Sequence, residues 1–285
     1  GLFIKGIAPP ADSVVGDGSA ETEKAGKQQV ADEIWFEGLD SKVPESLRRA
    51  IARLHQNLGH PSEADMIRNV SFADGTREAL MAIKSLRCAV CLRHRAKRAS
   101  LKPARNVILR VFNDFIFLDI FYIEDATNVL FPCLGIIDDA TVYHVVQRVE
   151  ELTATHCARI FSLVWLSWAG PPRKIVLDQQ RGVLGEFRTM LENVGCELDF
   201  VPRNAPHKLG WAERHNAAWR QIFKKLVDQS ASSGAGEIDM ACAAVSFAKS
   251  SSIRRAGASP QQVVFGFELR LPDSMLSSTD EIGVQ

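Results

Sequence analysis

Two sets of side chains in this 285-residue chain have the types and spacing to do chemistry. The first is His55 and His60, followed after 27 intervening residues by Cys88 and Cys91. Two imidazoles and two thiolates suit a tetrahedral zinc ion, and Cys-x-x-Cys lets two thiolates reach one ion from a tight turn. His55 and His60 can join them if His55 lies on a helix and His60 just past its end, after Gly59. Four protein ligands leave no open position, so such a zinc would be structural. Taken alone, the cysteine pair fits a redox pair equally well, and it is the two upstream histidines that turn the reading to metal.

The second set is Asp119, Asp178 and Glu213. Asp119 interrupts the apolar run Phe115-Ile116-Phe117-Leu118-Asp119-Ile120-Phe121-Tyr122, where a buried, unpaired carboxylate would be costly. Asp178 ends Ile175-Val176-Leu177-Asp178, and Glu213 is expected to open an amphipathic helix. If the two strands are neighbours and the helix crosses their ends, three carboxylates meet. Such an oxygen-donor set suits Mg2+ or Mn2+. Two ions there could activate a water or a DNA 3′-hydroxyl for in-line attack on phosphorus. The pattern by itself leaves a purely structural role open, since Asp at a strand end and Glu at a helix start are common.

Elements able to position these residues are visible in the periodicity. Pro44–Leu58 has Leu47, Ile51, Leu54 and Leu58 at helical spacing; a second helix starts at Pro61-Ser62-Glu63, and a third spans Thr76–Leu86 with Thr76 as cap. Together they make a small domain, residues 45–92, that buries little and would want a metal staple. From Asn106 the pattern changes. Strands are expected at Phe115–Tyr122, Val129–Asp138, Thr141–Arg148, Lys174–Asp178 and Glu197–Val201, and helices at Thr153–Trp168, Glu186–Val194 and Glu213–Gln229. That order predicts an α/β core over 106–230, a mixed sheet with helices packed on it. No Gly-x-Gly-x-x-Gly follows any strand, which argues against a dinucleotide fold. Residues 231–285 read as a helical extension (Glu237–Arg255, then a packing segment over Gln261–Leu271) and a tail.

The formal net charge is zero, but it is unevenly placed. Residues 1–45 carry 4 basic and 9 acidic side chains, and residues 46–110 carry 14 and 4. A polyanion partner would meet the second segment. Residues 1–44, rich in Gly, Ala, Ser and acid, read as a flexible leader with a short ordered piece near Ile34-Trp35-Phe36. The start, Gly1-Leu2-Phe3, reads as a piece of a longer product. Six cysteines are too few for a disulfide framework and fit a reducing compartment. No apolar run reaches the length of a membrane helix, so no membrane partner is expected.

The chain resembles the integrase region of LTR-retrotransposon and retroviral polyproteins over about Leu47–Leu271. The resemblance is carried by His55-Gln-Asn-Leu-Gly-His60-Pro-Ser, Cys88-Ala-Val-Cys91, Ile136-Ile-Asp-Asp-Ala-Thr141 and Asn204-Ala-Pro-His-Lys-Leu-Gly-Trp-Ala-Glu-Arg-His-Asn216. It is carried also by Ala258-Ser-Pro-Gln-Gln-Val-Val-Phe-Gly266 and by the 34 residues between Asp178 and Glu213. It implies a zinc-binding HHCC module before a catalytic core of ribonuclease-H-like fold, a five-stranded mixed sheet with flanking helices. It makes Asp119, Asp178 and Glu213 the counterparts of the catalytic acids. The implied activity is DNA 3′-end processing and strand transfer by two-metal phosphoryl transfer. Double-stranded DNA (element ends and target) and further copies of the chain would be its partners. The place of action would be the nucleus, reached from a cytoplasmic particle. The chain departs from the pattern at Asp178-Gln179-Gln180-Arg181-Gly182, where a small Asp-Asn-Gly-like turn is usual. That turn leaves two alternatives open, a non-catalytic DNA-binding or assembly module and a simple nuclease of the same fold.

DNA contacts are expected from the basic connector 93–105, with Arg93, Arg95, Lys97, Arg98, Lys102 and Arg105, which can meet phosphates without reading bases. Arg220 and Lys224 follow Glu213 by seven and eleven residues, within about 20° of its helix face. They could grip a phosphate chain beside the metals, or form salt bridges to the sheet edge.

Overall fold

The computed structural model describes residues 33–39, 43–94, 111–178, 185–201, 206–253, 257–267, 270–272 and 275. The leader's residues 1–32 and most of the basic connector lie outside this set.

Three short helices form the first module: α1 (Glu45–Asn57), α2 (Glu63–Phe72) and α3 (Arg77–Ser85). Each starts where the sequence supplies an acceptor or a restricted backbone. The Ser62 hydroxyl accepts from Asp65 N and the Thr76 hydroxyl from Ala79 N. Leu47, Ile51, Leu54 and Leu58 line the buried face of α1 against Met66 and Val70 of α2 and Ile83 of α3. Strand β1 (Ile34–Phe36) pairs antiparallel with β2 (Leu86–Cys88), and α4 (Ala89–Arg93) follows. The short ordered piece expected near Ile34-Trp35-Phe36 is therefore a strand of this module. The far end of the chain contributes too. Leu271 and Met275 are buried in the same cluster, and Thr76 N donates to Met275 O.

The second part is an α/β unit of ribonuclease-H-like architecture. Its mixed sheet runs β5 (His144–Arg148), β4 (Leu130–Asp138), β3 (Phe115–Glu124), β6 (Lys174–Asp178), β7 (Glu197–Val201). The β3–β4 and β4–β5 pairs are antiparallel; β3–β6 and β6–β7 are parallel. Parallel neighbours require crossovers. These are α5, which runs from Ala154–Phe161 through a π-helical turn at Ser162–Leu166 to Ser167–Ala169, and α6 (Gly185–Asn193). Ser162 and Ser167 hydroxyls donate back to the carbonyls four residues earlier, on either side of the π turn.

The two sheet faces pack differently. Ile116, Leu118 and Ile120 of β3 face α5 and α6, meeting Phe161, Trp165 and Phe187. Phe121 and Ile123 face α7 (Pro206–Ser230) and α8 (Gly234–Ser251), meeting Trp219, Phe223 and Val245. Helix α8 also covers the edge strand β5. Its Ser246 and Ser250 hydroxyls accept from Val146 N and His144 N, donors an uncovered edge would expose. A last helix, α9 (Pro260–Phe265), is closed by a capping box between Ser259 and Gln262.

Two sequence expectations shift. Helix α7 begins at Pro206, not at Glu213, because proline is pre-set for a first helical turn and a single internal glycine, Gly210, costs only about 1 kcal/mol. Strand β5 begins at His144, three residues later than Thr141, because buried Asp138 draws Thr141 into a turn. Its carboxylate accepts from Thr141 N, the Thr141 hydroxyl and Asn113 N.

Candidate active site and metal centre

The four residues His55, His60, Cys88 and Cys91 converge. Their ligand atoms all lie within 4.8 Å of one another. His55 lies in the last turn of α1 and His60 follows Gly59 in a left-handed turn, with φ of 70° at Gly59 and 57° at His60. Cys88 ends β2 and Cys91 lies in α4. His60 Nδ1 is 3.2 Å from His55 Nε2 and 3.5 and 3.8 Å from the sulfurs of Cys88 and Cys91; Cys91 Sγ is 3.3 Å from His55 Nε2. Usual zinc bond lengths place tetrahedral edges at about 3.3 Å for N···N and about 3.6 Å for N···S. The N···S distances fall on both sides of the second value and the N···N distance lies close to the first, so the donor set fits a zinc ion. Burial lowers the His55 pKa, which favours the neutral imidazole a metal needs. The Cys91 thiol beside it, with His55 and His60, holds Cys88 well below the usual thiol range.

The second site is built on β3. Along the strand face turned to α7, Phe117, Asp119 and Phe121 alternate. Phe117 lies 5.1 Å from Trp211 and Phe121 5.9 Å from Trp219, ring centre to ring centre. Asp119 is thus a carboxylate set between two aromatic rungs. Asn216 of α7 fills the gap and donates from Nδ2 to Asp119 Oδ2 at 2.8 Å. Gly135, opposite Asp119 on β4, leaves room for the neighbouring Phe121 ring. A Cβ there would lie 2.8 Å from the Phe121 ring and 3.6 Å from Asn216 Oδ1.

Glu213 is exposed and sits three residues before Asn216. Such i, i+3 neighbours have Cβ atoms about 5–6 Å apart. Leu118 pairs with Leu177 across the parallel β3–β6 ladder, so the backbones of Asp119 and Asp178 stand side by side one position on. Neighbouring strands lie about 4.8 Å apart. The Asp178 side chain and the turn at Gln179–Arg181 lie outside the described residues. An oxygen-donor set of this kind matches Mg2+ or Mn2+ in ligand chemistry.

Of the expected DNA contacts, Arg95, Lys97, Arg98, Lys102 and Arg105 lie outside the described residues. Arg93 is engaged in ion pairs with Glu33 and Asp228, which raise its pKa. Arg220 lays its guanidinium over the Phe121 ring at 4.6 Å, one turn beyond Asn216. Lys224 is exposed. The sequence reading gave no role to Asn216. Its place one turn from Glu213, on the face that meets β3, was the available signal. Gln229 and Lys225, which touch His60, had no such signal, because they come from the core and not from the module that holds the ligands.

No family model matches the chain, and no curated protein matches it. Solved structures do. A chain of the simian T-cell lymphotropic virus intasome in complex with PP2A regulatory subunit B56 gamma matches at 16% identity, covering 81% of this chain and 79% of that one, with a TM-score of 0.56. The HTLV-2 integrase catalytic core domain in complex with magnesium matches in its trimeric form at 16% identity, over 53% of this chain and 95% of that one, with a TM-score of 0.45. Its dimeric form matches at 15% identity, over 55% and 99%, with a TM-score of 0.46. The chain has an integrase-like fold.

Proposed function

We propose that this protein is a metal-dependent DNA-processing enzyme of the integrase kind, which trims a DNA 3′ end and joins it to target DNA. The observation that carries the reading is the setting of Asp119. It is a carboxylate placed in an apolar strand, oriented by Asn216 one helical turn from Glu213, with the Asp178 backbone beside it. Asp119, Asp178 and Glu213 would hold a divalent cation, which would supply Lewis-acid stabilisation for in-line displacement at phosphorus. The chain's own residues do the positioning. Asn216 fixes one oxygen of Asp119, α7 presents Glu213 toward solvent where a DNA strand can approach, and Arg220 keeps a fixed positive charge over Phe121 beside the acids.

His55, His60, Cys88 and Cys91 hold a structural zinc in this reading, within a module over residues 45–92. The connector 93–105 meets DNA phosphates, the core begins near residue 106, and 231–285 forms the C-terminal part. Paired DNA ends call for more than one copy of the chain, and the place of action is the nucleus.

The test is an assay of the purified protein with Mn2+ and a labelled DNA end, beside Asp178→Asn. Expected are shortened and joined products that the variant reduces at least about 100-fold, the scale set by loss of transition-state charge stabilisation. No metal-dependent product would turn the reading to a DNA-binding or assembly module. Cleavage without joining would turn it to a nuclease.

A further inference from the structure

The four-ligand cluster does not end at its own module. His60 presents Nδ1 to the other three ligand atoms, and its second nitrogen, Nε2, lies 2.6 Å from Gln229 Oε1. Gln229 belongs to α7, the long helix of the core, 169 residues away in sequence. The amide oxygen accepts, so Nε2 carries the hydrogen and Nδ1 keeps a lone pair for a metal. That is the role an outer carboxylate or carbonyl plays for a metal-bound histidine. One turn earlier on α7, Lys225 Nζ donates to the His60 carbonyl at 2.9 Å. The same turn of the module abuts the helix directly. A Cβ on Gly59 would fall 2.2 Å from Ile222 Cγ2, so only glycine lets His60 reach Gln229.

From these contacts we infer that the core helix α7 completes the metal site. Gln229 is a positioning residue that fixes the His60 tautomer, and metal binding and docking of the module on α7 are one coupled equilibrium. This rests on the zinc reading above. It adds that the module's affinity for metal depends on a residue outside it, and that metal loading orders the C-terminal half of the helix whose other half carries Glu213 and Asn216. The two ends are mechanically one element: Glu213 and Gln229 are separated by 16 residues, about 24 Å of continuous helix. By reciprocity, whatever α7 adds to metal affinity, metal adds to the docking of the module.

The experiment is zinc competition against a chromophoric chelator, on the full chain, for the native protein, Gln229→Leu and Gln229→Glu. Leucine keeps the size but removes the acceptor, and a 10–100-fold weaker affinity is expected. Glutamate keeps an acceptor for Nε2 and should restore affinity to the native level or above. Circular dichroism checks that each variant is folded. Hydrogen exchange supplies a second readout. Amides of residues 222–229 should lose protection when the native protein is stripped of zinc. Native protein that binds one zinc, with Gln229→Leu within twofold of it and unchanged protection on stripping, would overturn the coupling and leave the zinc reading standing. Native protein that binds no zinc would overturn both.

Discussion

Asp119 occupies a half-buried rung of β3 whose neighbours on the same face are phenylalanines, and its carboxylate accepts a hydrogen bond from Asn216 of α7. The cost of a polar group between apolar rungs is offset by directed hydrogen bonding, which also holds one oxygen of the carboxylate in place. Asn216→Leu should therefore leave the fold standing and loosen Asp119. The expected outcome in single-turnover DNA nicking with Mn2+ is a drop of about 10–100-fold, the usual effect of removing a partner that orients a ligand. An unchanged rate would assign Asn216 to packing alone. At this scale the sequence was informative about which residues matter and silent about what holds them. Asp119 stands out because a charge breaks an apolar run. Asn216 is one more polar residue on a helix until the strand it crosses is known.

Elements were legible where a local signal exists. The cap at Thr76, the helix start at Ser62 and the presence of the five strands follow from nearby side-chain types, although β5 starts later than its own pattern predicts. What was missed depends on distant partners. The pairing of Ile34–Phe36 with Leu86–Cys88 and the burial of Leu271 and Met275 in the first module join segments far apart in the chain. The start of α7 at Pro206 was hidden by Gly210. One such junction makes a prediction at this scale. Asp125, after β3, accepts from Thr127 N, the Thr127 hydroxyl and Val129 N through one oxygen, and from Gly234 N, at the start of α8, through the other. Burial raises the Asp125 pKa, but the N–H groups of Gly234, Val129 and Thr127 and the Thr127 hydroxyl outweigh it and bring it to about 2, against an ordinary 3.8. A depressed carboxylate pKa stabilises the fold in full above the ordinary value and ceases to do so as pH falls through the depressed one. Asp125→Asn should lower the Tm at neutral pH, and the gap from the native protein should close between about pH 4 and pH 2. Thermal unfolding across that range checks it; a gap that persists at pH 2 would mean the carboxylate charge is not what ties the β3–β4 hairpin to α8.

At the scale of the whole molecule, a chain of zero formal charge concentrates 14 basic residues against 4 acidic ones in positions 46–110. If that segment grips DNA, affinity should fall steeply with salt. Arg98→Ala and Lys102→Ala should each reduce the log–log salt slope by about 1, without changing sequence preference. Equal slopes for native and variant proteins would place the DNA path elsewhere. The described contacts make α7 the central member of the molecule. It packs on the sheet, holds Asn216 against Asp119 one turn after Glu213, and touches the His/Cys cluster through Gln229.

Whether the three acids form one metal site is tested most directly by a crystal structure with Mn2+ introduced, read by anomalous scattering. The prediction is a manganese peak bridged by the carboxylates of Asp119 and Asp178, with Glu213 turned toward the same site. Well-ordered carboxylates without a peak, or the Arg181 guanidinium filling the space between Asp119 and Asp178, would contradict it.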